Sequence, residues 1–117
     1  MAAQSIVVKS YKNPHETFTT NIAGTLNVLE AVRGLDSIKA VIIITSDKCY
    51  ENKEWLWGYR ESDVLGGTDP YSNSKACAEF VTRAYRDAYF TSFRNVSVAT
   101  VRAGNVIGGG DWAENRL

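Results

Sequence analysis

The sequence predicts an α/β protein with a parallel sheet, on the evidence of two observations. A helical pattern of apolar residues over 14–33 precedes a short run of β-branched residues at 40–45. A second helical pattern over 70–89 precedes a second strand at 96–101. A strand, a crossover helix and a strand form a right-handed βαβ unit, which places the two strands parallel in one sheet.

Length and composition describe one small globular domain. The chain has 117 residues, no net charge and 44% hydrophobic residues. Its two Cys and single His are too few for a disulfide framework or a zinc site, so we expect no metal. Balanced charge gives no reason to expect a nucleic-acid partner. No apolar run approaches the roughly 18 residues that span a bilayer, and the first residues lack the features of a signal peptide, so we expect no membrane partner and a cytoplasmic location.

The first helix is predicted from Pro14 to Arg33. Proline suits the first turn because its fixed φ matches the helix. The apolar residues of one helical face recur at spacings of three and four, at Phe18, Ile22, Leu26, Leu29 and Val32. Gly34 follows as the predicted C-terminal stop, and Asn21, inside the helix, is predicted to bond to backbone or water.

The strand at 40–45 is predicted to be covered on both faces, because continuous β-branched runs are typical of parallel sheets. Residues 46–67 are polar and aromatic and end in two glycines, which predicts a long loop. Long loops inside compact domains often carry function. Asp69 and Pro70 then predict a side-chain cap followed by proline at the first position of the second helix, 70–89.

The second strand leads into a glycine-rich loop over 104–111. Ligands of parallel sheets lie at the carboxyl ends of the strands. If the first three residues end an earlier strand, three polar segments meet at this edge, namely 4–10, 46–51 and 102–111. The sequence therefore predicts one crevice lined by all three segments.

Tyr71 and Lys75 are predicted to lie one turn apart on one face of the second helix. An ammonium beside a phenol favours the phenolate and lowers the pKa of the Tyr from about 10. Such a Tyr can remove a proton from an alcohol. The spacing alone favours an ordinary surface pair, and the neighbouring polar segments raise the weight of the catalytic interpretation.

Ser46, Asp47 and Lys48 follow the first strand where it opens onto the predicted crevice. The hydroxyl can bond a substrate hydroxyl and the carboxylate can exchange a proton, whereas a turn with solvated charges is the alternative. Arg102 and Asn105 are candidates to hold pyrophosphate or sugar oxygens. The consecutive glycines near them fit either a phosphate-binding loop or a plain turn.

Together these motifs resemble the extended short-chain dehydrogenase/reductases that act on nucleotide sugars. The resemblance rests on YSNSK at 71–75, on NIAGTLNVLEA at 21–31 and on the strand that ends in SDK. Within the family, residues 45–52 and 102–112 are most similar to the CDP-glucose branch of the nucleotide-sugar 4,6-dehydratases. The resemblance implies a partial Rossmann-like parallel sheet of βαβ units, with residues 1–117 forming a single partial domain.

The resemblance also implies roles in the NAD-dependent dehydration of a nucleotide sugar to its 4-keto-6-deoxy product. Tyr71, assisted by Lys75, would take the proton of the C4 hydroxyl, which Ser46 would hold. Asp47 would act as the acid toward the C6 hydroxyl, and Lys48 as the base at C5. The dTDP-glucose enzymes have Glu at the position of Lys48, whereas Lys is usual in the CDP-glucose branch.

Binding roles follow from the same resemblance. The residues that would contact NAD are Ala2, Ala3, Gln4, Tyr71 and Lys75. Those that would contact the nucleotide-sugar substrate are Ser46, Arg102 and Asn105. The family resemblance further implies a homodimer through helices 14–33 and 70–89.

One family feature is missing from these residues: no strand, glycine-rich turn and helix that hold the cofactor pyrophosphate precede Tyr71. We therefore expect the middle third of a longer enzyme, without the N-terminal dinucleotide-binding half. Alone, the chain is expected to show little NAD affinity and no activity. Two alternatives stay open: a non-catalytic, self-associating protein, and another nucleotide-sugar dehydratase or epimerase.

Overall fold

The computed structural model describes residues 2–91 and 96–113. These residues contain four α-helices and two strands, namely α1 (Val7–Lys12), α2 (Pro14–Phe18), α3 (Gly24–Arg33), β1 (Ala40–Ser46), α4 (Pro70–Tyr85) and β2 (Ser97–Ala103). A π-helical turn, Thr19–Ala23, joins α2 to α3 in one continuous helical run, and another, Arg86–Phe90, extends α4. Within the described residues, no helix has both the length and the apolar character that crossing a membrane requires.

The sheet has two parallel strands, as the sequence predicts. β1 and β2 pair in register from Ala40 opposite Ser97 to Ser46 opposite Ala103. Because α4 lies between them in the chain, the unit is the predicted strand–helix–strand crossover. Both strands therefore end at the same edge, where a ligand site is expected.

The core lies on one face of this sheet. Leu29 and Val32 of α3 pack with Val41, Val98 and Phe90 between the helices and the strands. The other face is open, and Ile42 of β1 is 63% exposed. The prediction that β1 is covered on both faces is therefore wrong for the described part of the chain.

The helical run before the sheet also differs from the prediction. Leu26, on the predicted apolar face, is partly exposed, whereas Thr17 and Asn21 are buried. No strand forms at residues 2–6, and the helix α1 occupies part of the predicted polar segment 4–10. The reason is that Asn21, and not a neighbouring strand, takes the backbone hydrogen bonds of Gln4.

The long loop is folded back on itself, with an isolated bridge between Tyr50 and Leu65. The ring of Tyr59 stacks on that of Tyr50 at 5.0 Å between centroids. The loop then closes against α4 at Gly67, where a Cβ would lie only 2.1 Å from that of Ser72, so no larger residue fits without a shift. Asp69 caps α4 as predicted, because its Oδ1 accepts from the backbone N–H of Ser72 at 3.0 Å.

Candidate active site

The carboxyl end of β1 forms a capped turn. The hydroxyl of Ser46 is buried, accepts from the backbone N–H of Lys48 at 3.2 Å and donates to Oδ1 of Asp47 at 3.0 Å. These bonds begin a short 3₁₀ helix, Asp47–Cys49. The turn leaves the side chains of Asp47 and Lys48 exposed at the edge of the sheet, where the sequence predicts them.

Tyr71 and Lys75 lie in the first two turns of α4, and each is only 8% exposed. The interpretation of Tyr71 and Lys75 as an ordinary surface pair, which the spacing alone favours, is therefore wrong. The Nζ of Lys75 donates to the carbonyl of Ile44 in β1 at 3.3 Å. Burial lowers the pKa of this Lys, because the low-dielectric surroundings disfavour its charged form. An ammonium is thus held beside the strand end that carries Ser46.

The end of β2 lies beside the same turn. A Cβ added at Gly104 would come within 3.5 Å of Oδ2 of Asp47, so the backbone of β2 passes close to this carboxylate. Asn105 follows with an exposed side chain, as a substrate-contacting residue requires. Two of the three predicted polar segments therefore meet at this edge.

The third segment reaches α4 through Asn21. Its Oδ1 accepts from the N–H of Gln4 at 2.9 Å, and its Nδ2 donates to the Gln4 carbonyl at 2.9 Å. The same Nδ2 donates to the hydroxyl of Ser74 at 2.8 Å, one residue before Lys75. The exposed residues Ala2 and Ala3 are consequently anchored through Gln4 to the helix that carries the Tyr–Lys pair. Asn21 bonds to backbone, as predicted.

Arg102 points to the helix side of the sheet. Its guanidinium holds both oxygens of Glu79 at 2.9 Å, and its Nη1 donates to the Tyr50 hydroxyl at 2.6 Å and to Oε2 of Glu61 at 2.7 Å. The bond to Glu79 raises the pKa of this Arg. Its role in substrate binding stays a prediction, since this side chain already has internal partners.

Glu79 is a buried carboxylate that no pattern in the sequence singled out. It is 5% exposed and also accepts from the hydroxyl of Thr45. Burial alone would raise the pKa of its carboxyl, but the hydrogen bonds from Arg102 and Thr45 outweigh burial and lower it. The sequence feature that could have identified Glu79 is its position four residues after Lys75, which places both residues on one face of the helix.

Among proteins of known function, nucleotide-sugar dehydratases are close relatives. A CDP-glucose 4,6-dehydratase of Salmonella typhimurium is 57% identical over 100% of this chain and 34% of its own length. A trifunctional protein of Arabidopsis thaliana that includes a UDP-glucose 4,6-dehydratase is 35% identical over 99% of this chain and 17% of its own length. The chain spans about a third or less of these curated relatives.

Solved structures of the same kind match the fold. A dTDP-glucose 4,6-dehydratase from Streptomyces venezuelae with NAD bound has a TM-score of 0.77 and 26% identity, covering 87% of this chain and 30% of that one. A UDP-glucose 4-epimerase from Brucella ovis in complex with NAD has a TM-score of 0.76 and 26% identity, covering 90% of this chain and 30% of that one. The partial Rossmann-like fold is confirmed, and these structural relatives bind NAD.

The family assignment rests on the match to a family model. The model described as GDP-mannose 4,6 dehydratase matches residues 1–102, which include β1, α4 and β2 as far as Arg102. The identity to the Salmonella enzyme extends over the remaining residues as well. This chain belongs to the GDP-mannose 4,6 dehydratase family.

Proposed function

We propose that this chain supplies the catalytic segment of an NAD-dependent nucleotide-sugar 4,6-dehydratase, with CDP-glucose as its substrate. The observation that carries the proposal is the buried Tyr71–Lys75 pair, which adjoins the turn that displays Asp47 and Lys48. The identity to the CDP-glucose 4,6-dehydratase of Salmonella supports the choice of substrate. Residues 1–117 are proposed to be one partial, central section of the catalytic domain, acting in the cytoplasm.

Tyr71 is proposed as the base that takes the proton of the sugar C4 hydroxyl. Lys75 lies one turn further along the helix, and its ammonium would stabilise the phenolate. Ser46 would orient the same sugar hydroxyl from the end of β1, where its own bonds to Asp47 and Lys48 fix it. These three groups would hold the alcohol and move its proton.

Asp47 and Lys48 are proposed as the acid and base of water elimination. Asp47 would give a proton to the leaving C6 hydroxyl, and Lys48 would take the C5 proton. Both side chains are exposed at the site edge, as contact with a substrate requires.

NAD fits the residues at this edge. Ala2 and Ala3 are small and exposed, so their backbone can be approached closely, and the Tyr71–Lys75 pair presents a hydroxyl and a cationic donor. Gln4 is turned inward to Thr17, so its part is to fix the two alanines. When bound, NAD would supply hydride acceptance and return. Arg102 and Asn105 stay as candidates for the substrate phosphates, and Asn105 is the more accessible.

The proposal is tested in a chimera in which these residues replace the matching segment of the Salmonella enzyme. We expect it to form the 4-keto-6-deoxy sugar from CDP-glucose, and much more slowly from dTDP- and GDP-linked sugars. Lys48→Met is expected to lower turnover at least about 100-fold, because the C5 proton loses its acceptor. Lys53→Met, which removes an exposed Lys of the same loop, is the control and leaves turnover unchanged. Near wild-type dehydration by the Lys48 variant would show that another group is the base.

A second candidate is a self-associating, non-catalytic protein, and the exposed apolar residues of the helices favour it. Val28 is 51% exposed, Phe80 45% and Tyr89 40%, so each offers apolar surface that a second copy of the chain could bury. We propose a homodimer through helices 14–33 and 70–89, in which these residues are covered. Light scattering of the chain at about 100 μM should give at least a dimeric mass. A monomeric mass would overturn the proposed dimer.

A further inference from the structure

One buried carboxylate joins three of the segments that carry the candidate active site. Glu79 lies in α4, one turn after Lys75. It accepts from the hydroxyl of Thr45 in β1 and from the guanidinium of Arg102 in β2. Thr45 and Arg102 are directly paired across the two strands, so both side chains bond the same group from the same face of the sheet.

These contacts fix both ends of the turn Asp47–Cys49. Thr45 immediately precedes Ser46, which caps the turn. Arg102 donates to the hydroxyl of Tyr50, which immediately follows the turn. Glu79 therefore holds the residue before the capping serine directly, and the residue after the turn through Arg102.

The same helix carries the Tyr–Lys pair. Lys75 bonds the Ile44 carbonyl and Glu79 bonds the Thr45 side chain, so α4 contacts two successive residues at the end of β1. A shift of the end of β1 relative to α4 would therefore strain or break these bonds. Both oxygens of Glu79 are already bonded and its side chain is buried, so it has no direct contact with substrate to offer.

We infer that Glu79 is a positioning residue, which acts through Thr45 and Arg102 to set Ser46 and the turn Asp47–Cys49 relative to Tyr71 and Lys75. The inference rests on the proposed function, because its consequence is a rate. Reacting groups misplaced by about 1 Å can lose about 100-fold in rate.

Two matched threonine variants separate positioning from plain stabilisation. The hydroxyls of Thr45 and Thr100 both bond Glu79, but Thr45 adjoins the turn and Thr100 lies further back in β2. In the Salmonella chimera, Thr45→Val is expected to lower kcat at least about tenfold with little change in KM. Thr100→Val should keep kcat within about twofold at a similar loss of thermal stability, and Thr45→Ser, which keeps the hydroxyl, should restore kcat.

A second measurement uses this chain alone and needs no activity. The N–H of Lys48 bonds Ser46 and that of Tyr50 bonds the Asp47 carbonyl, so both report on the turn. Thr45→Val is expected to speed their hydrogen exchange at least about tenfold, whereas Thr100→Val leaves it unchanged. An inactive wild-type chimera with this exchange pattern would refute the proposed function and keep the positioning role. Equal effects of the two valine variants on exchange would overturn the positioning role.

Discussion

Replacing Tyr71 by Phe is expected to lower the turnover of the Salmonella chimera by about 1,000-fold without unfolding it. The change removes one phenol oxygen and keeps the ring, which is buried in the first turn of α4. Under the proposed mechanism, the C4 hydroxyl then has no group to accept its proton. The measurement is kcat with CDP-glucose, together with the melting temperature of each variant.

Tyr11→Phe is the matched control for this loss. Tyr11 is 64% exposed in α1, so the same atom is removed from a surface ring and kcat should not change. If the Tyr71 variant kept a tenth or more of the wild-type rate, the phenol would not be the base. Lys75→Met extends the test, because under the proposed mechanism it removes the ammonium that would stabilise the phenolate, so kcat should fall as well.

The elements that carry these residues were predictable because their signals are local. Asp69 and Pro70 mark the start of α4 within two residues, and the structure places the cap and the first helical turn there. The β-branched run likewise marks β1 at Ala40–Ser46, one residue longer than predicted. Local side-chain chemistry decides both, so no distant partner has to be known.

Whether the second face of β1 is buried or exposed could not be predicted in the same way. The run of isoleucines shows that both faces of the strand tolerate apolar neighbours, but it does not show which neighbours these residues supply. In the described residues α3 and α4 pack on the Val41 face, and Ile42 stays exposed. Asn21 illustrates the same limit, because its partners Gln4 and Ser74 lie far away in the chain.

The candidate site likewise contains some residues that a local sequence pattern reveals and others that it does not. Tyr71 and Lys75 are linked by helical spacing, and Ser46 to Lys48 are consecutive, so each group could be found in the sequence alone. Arg102 was predicted to bind substrate because its side chain can hold pyrophosphate or sugar oxygens, and that role stays a prediction. The register places it on the face of Val98, toward α4, where Glu79 binds it. That partnership spans 23 residues and leaves no local pattern.

The second large effect is expected from Glu79→Ala, which should lower the free energy of unfolding of this chain by about 3 kcal/mol. The change leaves the guanidinium of Arg102, which is 15% exposed, without its bidentate partner, and it also strips the hydroxyl of Thr45 of its acceptor. Urea unfolding of the wild type and the variant measures the difference.

Glu61→Ala is the control, since Glu61 bonds the same guanidinium from a side chain that is 88% exposed. Solvent screens such a pair, so its loss should cost less than about 1 kcal/mol. If Glu79→Ala and Glu61→Ala lowered the free energy of unfolding by similar amounts, the buried Glu79–Arg102 pair would contribute no more than a surface contact.

The pH dependence of stability gives an independent check on the same carboxylate. The pKa of Glu79 is lowered in the folded state. At acidic pH its carboxyl group therefore binds fewer protons in the folded chain than in the unfolded chain. Its stabilising contribution is therefore complete above the ordinary Glu pKa of about 4.3 and is lost as pH falls through the lowered folded value. Wild type and Glu79→Gln should consequently differ most in unfolding free energy near neutral pH and converge below about pH 4. A gap that stayed constant across this range would mean that the hydrogen-bonding shape of the side chain, and not its charge, holds Arg102.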